Sequence, residues 1–414
     1  MSKPRLLMLS HVFPFPGNSG QRQRVFYMLK CAKKDFHVTL LSISTKGNAG
    51  FDSELKTLCD ETILLPPLNA GLWRKIMHKV KGAHYSWKTG LKFSNYVIGQ
   101  LEFSPQRIFQ ALGPKKFDGV LFEYWHTAEL APLFRSKGTR CVLDMHDILW
   151  KSYERQVSAA KIFFKPIVAR QIRKYKTAEE NAWRLFDKVI AINEEEEKYV
   201  RKVLGDQAEI EYVPMGIDLS RWSYGWCPER QPHKLAYYGG LSSPHNKKEA
   251  LRCYHEIMPQ IWRYFSDAEF WIIGATPPPE ILKLSCDSRV KVTGYIEDVG
   301  EVLKTMSVLL CPWTGTYGFR SRLVEAMAVG VPVVATSDAV YGMSFQDQKE
   351  IFLGADSRML AEGALKLLKD PGLAERQSKA ARIKVENAYG LLPYQNFFRE
   401  LCGWFSSVNQ PSHR

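Results

Sequence analysis

One stretch constrains the fold more than any other part of the sequence: residues 318–336, GFRSRLVEAMAVGVPVVAT. Its first apolar residues recur at the spacing of a helix with one buried face: Leu323, Val324, Met327 and Ala328. Gly330 follows them, and glycine is the residue that most often ends a helix. The apolar run 331–335 comes next and is typical of a strand buried on both faces. The stretch therefore predicts a loop, a helix, a tight turn and a buried strand.

Charge is concentrated at the start of this helix, in Arg320 and Arg322. The first turn of a helix already favours anions, because its N–H groups are unpaired and its dipole is positive there. Two arginines add charged donors, so a phosphate or a diphosphate is the predicted ligand. Glu325 lies one turn further on, and a carboxylate beside a phosphate site usually accepts hydrogen bonds from sugar hydroxyls. The site therefore predicts a ribose diphosphate, and hence a nucleotide.

The segment 325–336, EAMAVGVPVVAT, resembles the C-terminal-domain signature of the family-4 glycosyltransferases. The resemblance implies an α/β GT-B fold, with two Rossmann-like, doubly wound domains that face each other across a cleft. It also implies a retaining transfer of sugar from a nucleotide sugar. The family pattern has two glutamates eight positions apart: Glu325 matches the second, which holds the ribose, and Tyr317 replaces the first. A bacterial subgroup with basic residues before the remaining glutamate is more similar to this chain.

The resemblance also implies a division of the chain. We expect an N-terminal, acceptor-side domain over residues 1–220 and a nucleotide-sugar-binding domain over 234–392. Two prolines mark 221–233 as a linker. In GT-B folds the last helix crosses back to the first domain, which assigns that role to residues 393–414.

The net charge of +14 implies an anionic partner, because so large an excess of lysine and arginine attracts negative ligands or surfaces. No helix-turn-helix, zinc-finger or single-strand-binding motif is visible, so nucleic acid is not expected. The 8 cysteines are scattered and none forms a C-x-x-C pair, which fits a reducing compartment. No apolar run has the length of a membrane span. We therefore expect a cytoplasmic protein, whose membrane contact, if any, is peripheral on the inner face of the cell membrane.

The N-terminal segment predicts the first strand, loop and helix of a Rossmann-like domain. An apolar strand at 5–10 leads into a loop rich in turn residues and then a helix starting near Ser19. By resemblance, Gly20 brings its backbone to the donor diphosphate. Arg22 and Arg24 oppose the dipole of this helix, which favours a nearby anion.

A strand at 140–147 ends in three ionisable residues, Asp144, His146 and Asp147. Open α/β sheets bind their ligands at this carboxyl end of a strand. A histidine that is merely hydrogen-bonded in a loop remains an alternative. The resemblance implies that His146 contacts the donor sugar, while the two aspartates orient it or cap the next helix. It also implies that no metal or other cofactor is needed.

Residues 71–96 combine basic residues with apolar ones at helical spacing, including Trp73 and Trp87. This pattern is typical of a helix lying on a membrane surface. A helix that faces the core and exposes a basic side is the alternative. GT-B enzymes with lipid-linked acceptors often dock through such parts, so the resemblance favours the membrane.

The second domain has its own ligand loops. Gly239 opens a turn-rich loop after the strand 234–238, and Tyr295 and Ile296 follow the strand 290–293. By resemblance these three residues, with Val324 and Glu325, bind the donor, and the loop at 294–298 wraps its base. Lys247 either contacts the diphosphate or lies at a solvated helix start.

Together with the residue patterns, the resemblance therefore implies a hexosyltransferase of the retaining type, with His146, Arg320 and Arg322 as catalytic residues. The expected acceptor is a glycan or a lipid-linked molecule, and the expected pathway is polysaccharide biosynthesis. An epimerase or a hydrolase is less well supported, because Tyr317 supplies no carboxylate. The alternatives are a catalytically impaired relative that binds sugar nucleotides and a protein that binds an anionic polymer.

Overall fold

The computed structural model describes residues 3–17, 19–43, 50–68, 72–89, 102–157, 165–228, 233–315 and 319–406. The chain divides into two compact units, Met1–Pro214 with Pro393–Arg414, and Met215–Leu392. The second unit begins ahead of the expected linker because Ile217 is buried in its core. The N–H of Ile217 also donates to the carbonyl of Tyr389 at 2.8 Å.

The first unit is built on a parallel sheet that has seven strands within the described residues. In chain order they are β1 (Arg5–Leu9), β2 (His37–Ile43), β3 (Glu61–Leu65), β4 (Gly119–Glu123), β5 (Arg140–Asp144), β6 (Lys188–Ala191) and β7 (Glu209–Tyr212). The spatial order is β3-β2-β1-β4-β5-β6-β7. β4 and β6 are buried along their whole length, as in a sheet covered by helices on both faces.

The second unit has a parallel sheet of six strands within the described residues. They are β8 (Lys234–Tyr238), β9 (Glu269–Ile273), β10 (Val290–Gly294), β11 (Val308–Cys311), β12 (Val333–Ala335) and β13 (Phe352–Leu353). Their spatial order is β10-β9-β8-β11-β12-β13. In both units the first strand of the unit lies inside the sheet, which is the doubly wound arrangement.

Helices connect the strands. The α-helices of the described residues are α1 (Gly20–Asp35), α2 (Asp52–Leu58), α3 (Leu72–Thr89), α4 (Pro105–Leu112), α5 (Ala131–Arg135), α6 (Leu149–Val157), α7 (Lys165–Trp183), α8 (Glu194–Leu204), α9 (Pro244–Arg252), α10 (Met258–Trp262), α11 (Pro279–Leu282), α12 (Val299–Lys304), α13 (Ser321–Val329), α14 (Ser357–Lys369), α15 (Pro371–Ala388) and α16 (Leu392–Ser406). A π-helical turn, Cys253–Ile257, joins α9 to α10. Short 3-10 helices lie at Trp125–Leu130, Gly205–Gln207, Lys283–Cys286 and Ser337–Val340.

The signature stretch folds as predicted over its described part. α13 ends at Gly330, whose φ of 102° lies in the left-handed region and whose N–H donates to the carbonyls of Ala326 and Met327. The strand β12 begins at Val333, two residues later than the sequence predicts. The N–H of Val331 is engaged by the carbonyl of Ala326 at 3.0 Å, and Pro332 has no N–H to donate.

The strands predicted at 5–10, 140–147, 234–238, 290–293 and 331–335 are confirmed as β1, β5, β8, β10 and β12, with ends shifted by up to three residues. The edge strands β7 and β13 have weak sequence patterns. β7 has the polar sequence EIEY and only partly buried or exposed residues, and β13 is two residues long. Both lie at the edge of a sheet, where fewer side chains are buried and the hydrophobic pattern in the sequence is therefore weak.

Candidate active site

Each sheet has a point where its strand order switches direction. β1 lies between β2 and β4, and β8 lies between β9 and β11. In the first sheet the connections leaving β1 and β4 run in opposite directions, and in the second sheet those leaving β8 and β11 do so. This divergence opens a crevice at the carboxyl edge, where ligands of such sheets bind. The loop that starts at Gly239 leaves β8, and the loop that leads to Arg320 leaves β11.

Arg320 and Arg322 lie at the start of α13, as predicted. Arg320 occupies the N-cap position and its Nη2 donates to the carbonyl of Gly315 at 3.1 Å. Its guanidinium carbon is 5.5 Å from the centroid of the Trp313 ring. The guanidinium carbon of Arg322 lies 5.6 Å from the centroid of the Tyr238 ring. The two cations thus lie against the loop after β11 and the end of β8.

Glu325 is on the same helix and only 4% exposed. Its Oε2 accepts a hydrogen bond from the hydroxyl of Tyr238 at 3.1 Å. Burial raises the pKa of Glu325, and the charge of Arg322 and the Tyr238 hydrogen bond act in the opposite direction. The structure thus brings together Arg322, Glu325 and a tyrosine that sequence reasoning missed. Its position as the last residue of β8, at the carboxyl edge, was a signal that could have found it.

The glycines after β8 keep their loop close to these side chains. A Cβ on Gly240 would lie 3.3 Å from Nη2 of Arg322, and one on Gly239 would lie 3.0 Å from the ring of Tyr237. Gly239 is buried and follows β8, at the place the sequence predicts. The loop therefore approaches Arg322 with its backbone, which suits a phosphate-binding turn.

The other predicted donor residues of this unit differ in exposure. Tyr295 is 77% exposed, so its ring is available for stacking on a base. Ile296 is half-buried and packs on the core. Val324 is fully buried, so only its backbone can reach a ligand. Lys247 pairs with Glu280 at 2.7 Å, which is an ion pair at the helix start rather than a free cation. Tyr317 lies outside the described residues.

His146 lies just beyond β5 in the first unit and is 5% exposed. Its φ is 59°, a left-handed conformation that is uncommon for a residue with a side chain. Its ring stacks on Tyr124, with centroids 4.0 Å apart and planes 11° from parallel. Its Nε2 is hydrogen-bonded to Oε2 of Glu123, the last residue of β4. The backbone and the ring are therefore both held in a specific orientation.

Asp144, two residues earlier, orients the buried guanidinium of Arg24 as well as lying near His146. Arg24 donates to both of its carboxylate oxygens, at 2.6 and 2.9 Å, and also to the carbonyl of Val213 and the hydroxyl of Tyr394. Burial tends to lower the pKa of Arg24, but the charge and hydrogen bonding of Asp144 act together with Tyr394 and Glu123 to raise the pKa overall. The anion expected near Arg24 is thus a carboxylate of the protein. Arg22 donates to the carbonyl of Phe15.

The loop that carries His146 is held from α7 and α8. Glu179 accepts the N–H groups of Leu149 and Trp150 through its two oxygens, at 2.9 and 2.8 Å. Glu196 accepts the N–H of Ile148 at 3.4 Å. Burial raises the pKa of Glu179 to about 8, although the two N–H donors oppose the rise. The sequence did not indicate these carboxylates, because they lie 30 and 48 residues from the N–H groups they accept.

Glu123, Asp144 and His146 each offer a ligand atom, and these atoms lie within 4.8 Å of one another. A metal there would compete with Arg24, which already engages both oxygens of Asp144, and with the Glu123–His146 hydrogen bond. The donor set therefore fits a hydrogen-bonded network better than a metal centre. Burial and the charge of Asp144 raise the pKa of Glu123.

Gly20 is exposed and is the first residue of α1, after an extended Ser19. Ser19 occupies the N-cap position but makes no side-chain capping hydrogen bond. Gly20 therefore lies at a helix start near the carboxyl end of β1, which is where the resemblance places the diphosphate-binding glycine of this unit.

The helix α3 exposes apolar side chains. Trp73 and Trp87 are 80% and 71% exposed, and Ile76, Met77 and Val80 are also exposed. Positions 73, 76, 77 and 80 fall on one helix face, so this face is directed to solvent and not to a core. Among the described residues, no helix is long and apolar enough to cross a bilayer.

Comparison with known proteins agrees with this geometry. The family model described as "Glycosyl transferases group 1" matches residues 232–370. That range includes the loop after β8 and the whole of α13. Residues 232–370 form a group 1 glycosyltransferase domain. The resemblance to a family-4 glycosyltransferase is thereby confirmed for this domain.

The curated relatives that this chain matches are distant in sequence. A phosphatidyl-myo-inositol mannosyltransferase of Mycobacterium leprae is 24% identical over 198 residues, covering 45% of this chain and 51% of that protein. The Mycobacterium tuberculosis enzyme of the same name is 22% identical over 209 residues, covering 47% of this chain and 54% of that protein. The chain thus spans about half the length of the curated relatives it matches.

Solved structures of GT-B glycosyltransferases share the fold of this chain. Sucrose-phosphate synthase from Thermosynechococcus elongatus has a TM-score of 0.70 at 16% identity, covering 98% of this chain and 100% of that one. Anabaena HepE in complex with UDP-glucose has a TM-score of 0.61 at 13% identity, covering 97% and 100%. The predicted GT-B fold class is therefore confirmed.

Proposed function

We propose that the protein is a retaining glycosyltransferase that moves a hexose from a nucleoside-diphosphate sugar to a glycan or lipid-linked acceptor. The observation that carries the proposal is the arrangement at the start of α13. There Arg322 and Glu325 lie beside the end of β8 and its glycine loop, and Arg320 lies against the loop after β11, at the switch in strand order. Two cations suit a diphosphate and a carboxylate suits a ribose.

The reaction would break the bond between the anomeric carbon and the diphosphate oxygen. The acceptor hydroxyl would form its bond to the same face of the sugar, so the configuration is retained. The proton of that hydroxyl would pass to the departing diphosphate oxygen, which leaves a nucleoside diphosphate. Arg320 and Arg322 would stabilise the negative charge that grows on this leaving group. The protein then needs no covalent nucleophile and no metal.

His146 would position the sugar and support positive character at its anomeric carbon. Its left-handed backbone, its stacking on Tyr124 and its hydrogen bond to Glu123 support this role, because they fix both the ring and the carbonyl direction.

A turnover assay tests the proposal. The purified protein is incubated with radiolabelled nucleotide sugars, one at a time, and a lipid and glycan extract from its own cells. We expect one donor to release its nucleoside diphosphate and to label the extract, with the original anomeric configuration in the product. Binding of a sugar nucleotide without transfer would favour the catalytically impaired alternative, which the replacement at Tyr317 keeps open.

We further propose that the acceptor is reached at an anionic membrane surface, through α3. Trp73, Ile76, Met77 and Val80 form an exposed apolar face, and the exposed Lys79 lies among them. Tryptophan beside lysine is typical of helices that lie in the headgroup region, where the ring is buried and the ammonium pairs with lipid phosphate. The net charge of +14 acts in the same direction. The proposed location is therefore the inner face of the cell membrane, and the proposed pathway is polysaccharide assembly.

Vesicle sedimentation tests the membrane proposal. Vesicles of phosphatidylglycerol and phosphatidylcholine are compared with vesicles of phosphatidylcholine alone. We expect the protein to bind the anionic vesicles, and expect Trp73→Ala with Ile76→Ala to weaken that binding at least tenfold. Tyr264→Ala is the matched control, because Tyr264 is 64% exposed on the second unit. Equal binding of both vesicle types, or none, would contradict the proposal.

A further inference from the structure

Tyr238 contacts both charged residues of the proposed nucleotide site. It is the last residue of β8, its hydroxyl donates to Oε2 of Glu325 at 3.1 Å, and its ring lies 5.6 Å from the guanidinium carbon of Arg322. The family match does not assign it a role. The side chain of Tyr238 is mostly buried and its hydroxyl is hydrogen-bonded to a carboxylate, so both the ring and the hydroxyl are held in place.

Glu325 needs such a partner to bind a ribose. A carboxylate has about four lone-pair sites, so one hydrogen bond to Oε2 leaves others for the two vicinal hydroxyls of a ribose. Because Glu325 is 4% exposed, its carboxylate is costly to keep charged without a donor. Burial also raises the pKa of Tyr238, so the phenol stays protonated and can act only as that donor towards the carboxylate.

The ring of Tyr238 also affects Arg322. A guanidinium near an aromatic face is held by the negative charge of the ring face. The backbone at Gly240 is also close to Arg322, since a Cβ there would be 3.3 Å from Nη2. Arg322 is thereby kept beside the glycine loop, where the proposed diphosphate binds, while its charge still acts on the buried Glu325.

We propose that Tyr238 is a positioning residue that directs Glu325 to the ribose hydroxyls and Arg322 to the diphosphate. The inference rests on the proposed function, because it assumes that a ribonucleotide is the ligand. Its specific consequence is that Tyr238 sets the preference for ribose over deoxyribose, without touching the reacting atoms.

The test is a chemical double-mutant cycle. Calorimetry gives the Kd of the nucleoside diphosphate that binds best among UDP, GDP and ADP, and of its 2′-deoxy and 3′-deoxy forms. The proteins are the wild type, Tyr238→Phe, Glu325→Gln and Tyr237→Phe. Tyr237 is the matched control, because it is the neighbouring buried tyrosine and its hydroxyl accepts from Nε1 of Trp313 at 3.2 Å.

We expect the wild type to prefer the ribose form by about tenfold or more, as for a hydrogen bond to a charged group. Tyr238→Phe should lose most of this preference, as Glu325→Gln should, while Tyr237→Phe keeps it. A general loss of structure would lower the affinity for ribose and deoxyribose forms together, so the ratio separates positioning from damage to the fold.

The outcomes also separate the two proposals. If the wild type binds no nucleoside diphosphate, the proposed function fails and the role of Tyr238 falls with it. If the wild type prefers ribose, and Tyr238→Phe keeps the full preference while Glu325→Gln loses it, the role of Tyr238 is overturned and the proposed function stands.

Discussion

Arg320 and Glu325 lie at the start of one helix but differ in burial and in the contacts that hold their side chains. Arg320 is half-buried and its side chain is steadied by the carbonyl of Gly315 and the ring of Trp313. Glu325 is almost fully buried and depends on Tyr238 and on the charge of Arg322. Removing either side chain therefore changes the ligand site more than the core.

We expect Glu325→Ala and Arg320→Ala to reduce transfer at least a hundredfold, because each removes a charged contact to the donor. The folded structure should persist, since both residues lie at a ligand edge. Initial rates at saturating and limiting donor give the effect, and circular dichroism with a thermal midpoint is the control. Near-normal turnover in either variant would show that the site has been wrongly assigned.

Glu179 should make the free energy of unfolding depend on pH. Its folded pKa of about 8 lies above the ordinary value of 4.5, so the folded state prefers the protonated form. The stability that this provides is complete below about pH 4.5 and is lost as the pH rises through about 8. Glu179→Gln cannot ionise, so the free energy of unfolding of the variant should rise relative to the wild type across this range.

Urea denaturation of both proteins at pH 5, 6, 7 and 8 measures this difference. Glu180→Gln serves as the control, because Glu180 is the neighbouring carboxylate on α7 and is only half-buried. A difference between Glu179→Gln and the wild type that does not change with pH would mean that Glu179 is charged throughout, as its two N–H donors favour.

At the scale of elements, α13, Gly330 and β12 could be predicted because local rules act on them directly. The helical spacing of apolar residues predicted α13, Gly330 predicted the end of that helix, and a continuous apolar run predicted β12. The partners of His146 and Glu325 could not be predicted in this way. Glu123 and Tyr238 lie 23 and 87 residues from them, and only the strand order brings them together.

Gly330→Ala tests the turn that ends α13. At a φ of 102° the backbone of a residue with a side chain is strained. The added Cβ would also lie 2.5 Å from the Tyr224 ring and 2.8 Å from Cβ of Trp226. We expect a loss of about 1–3 kcal/mol in the free energy of unfolding, from backbone strain and crowding. Urea denaturation at constant pH measures it.

Gly403→Ala is the matched control for this substitution. Gly403 lies within α16, and a Cβ there would have no atom within 4 Å. Replacing a helical glycine with alanine in open space should stabilise the protein by about 0.5–1 kcal/mol. Equal effects of the two substitutions would contradict the account of the turn at Gly330.

At the scale of the whole molecule, sequence could predict the fold class and the family of the second domain but not the substrates. The signature in residues 325–336 is local and is confirmed by the family match to residues 232–370, while the solved structures confirm the fold over nearly the whole chain. The sugar and the acceptor depend on side chains from distant parts of the chain. The charge of +14 predicted an anionic partner but not which one, since diphosphates and anionic lipids attract the same cations.

The most direct test of the central claim is a thermal-shift screen against UDP, GDP, ADP and CMP and their common sugars. A ligand that binds only the folded state raises the midpoint by mass action. We predict a clear rise with one nucleoside diphosphate and its sugar, and the loss of that rise in Glu325→Ala. If no nucleotide raises the midpoint of the wild type while the protein binds anionic polymers tightly, the claim of a nucleotide-sugar site is wrong.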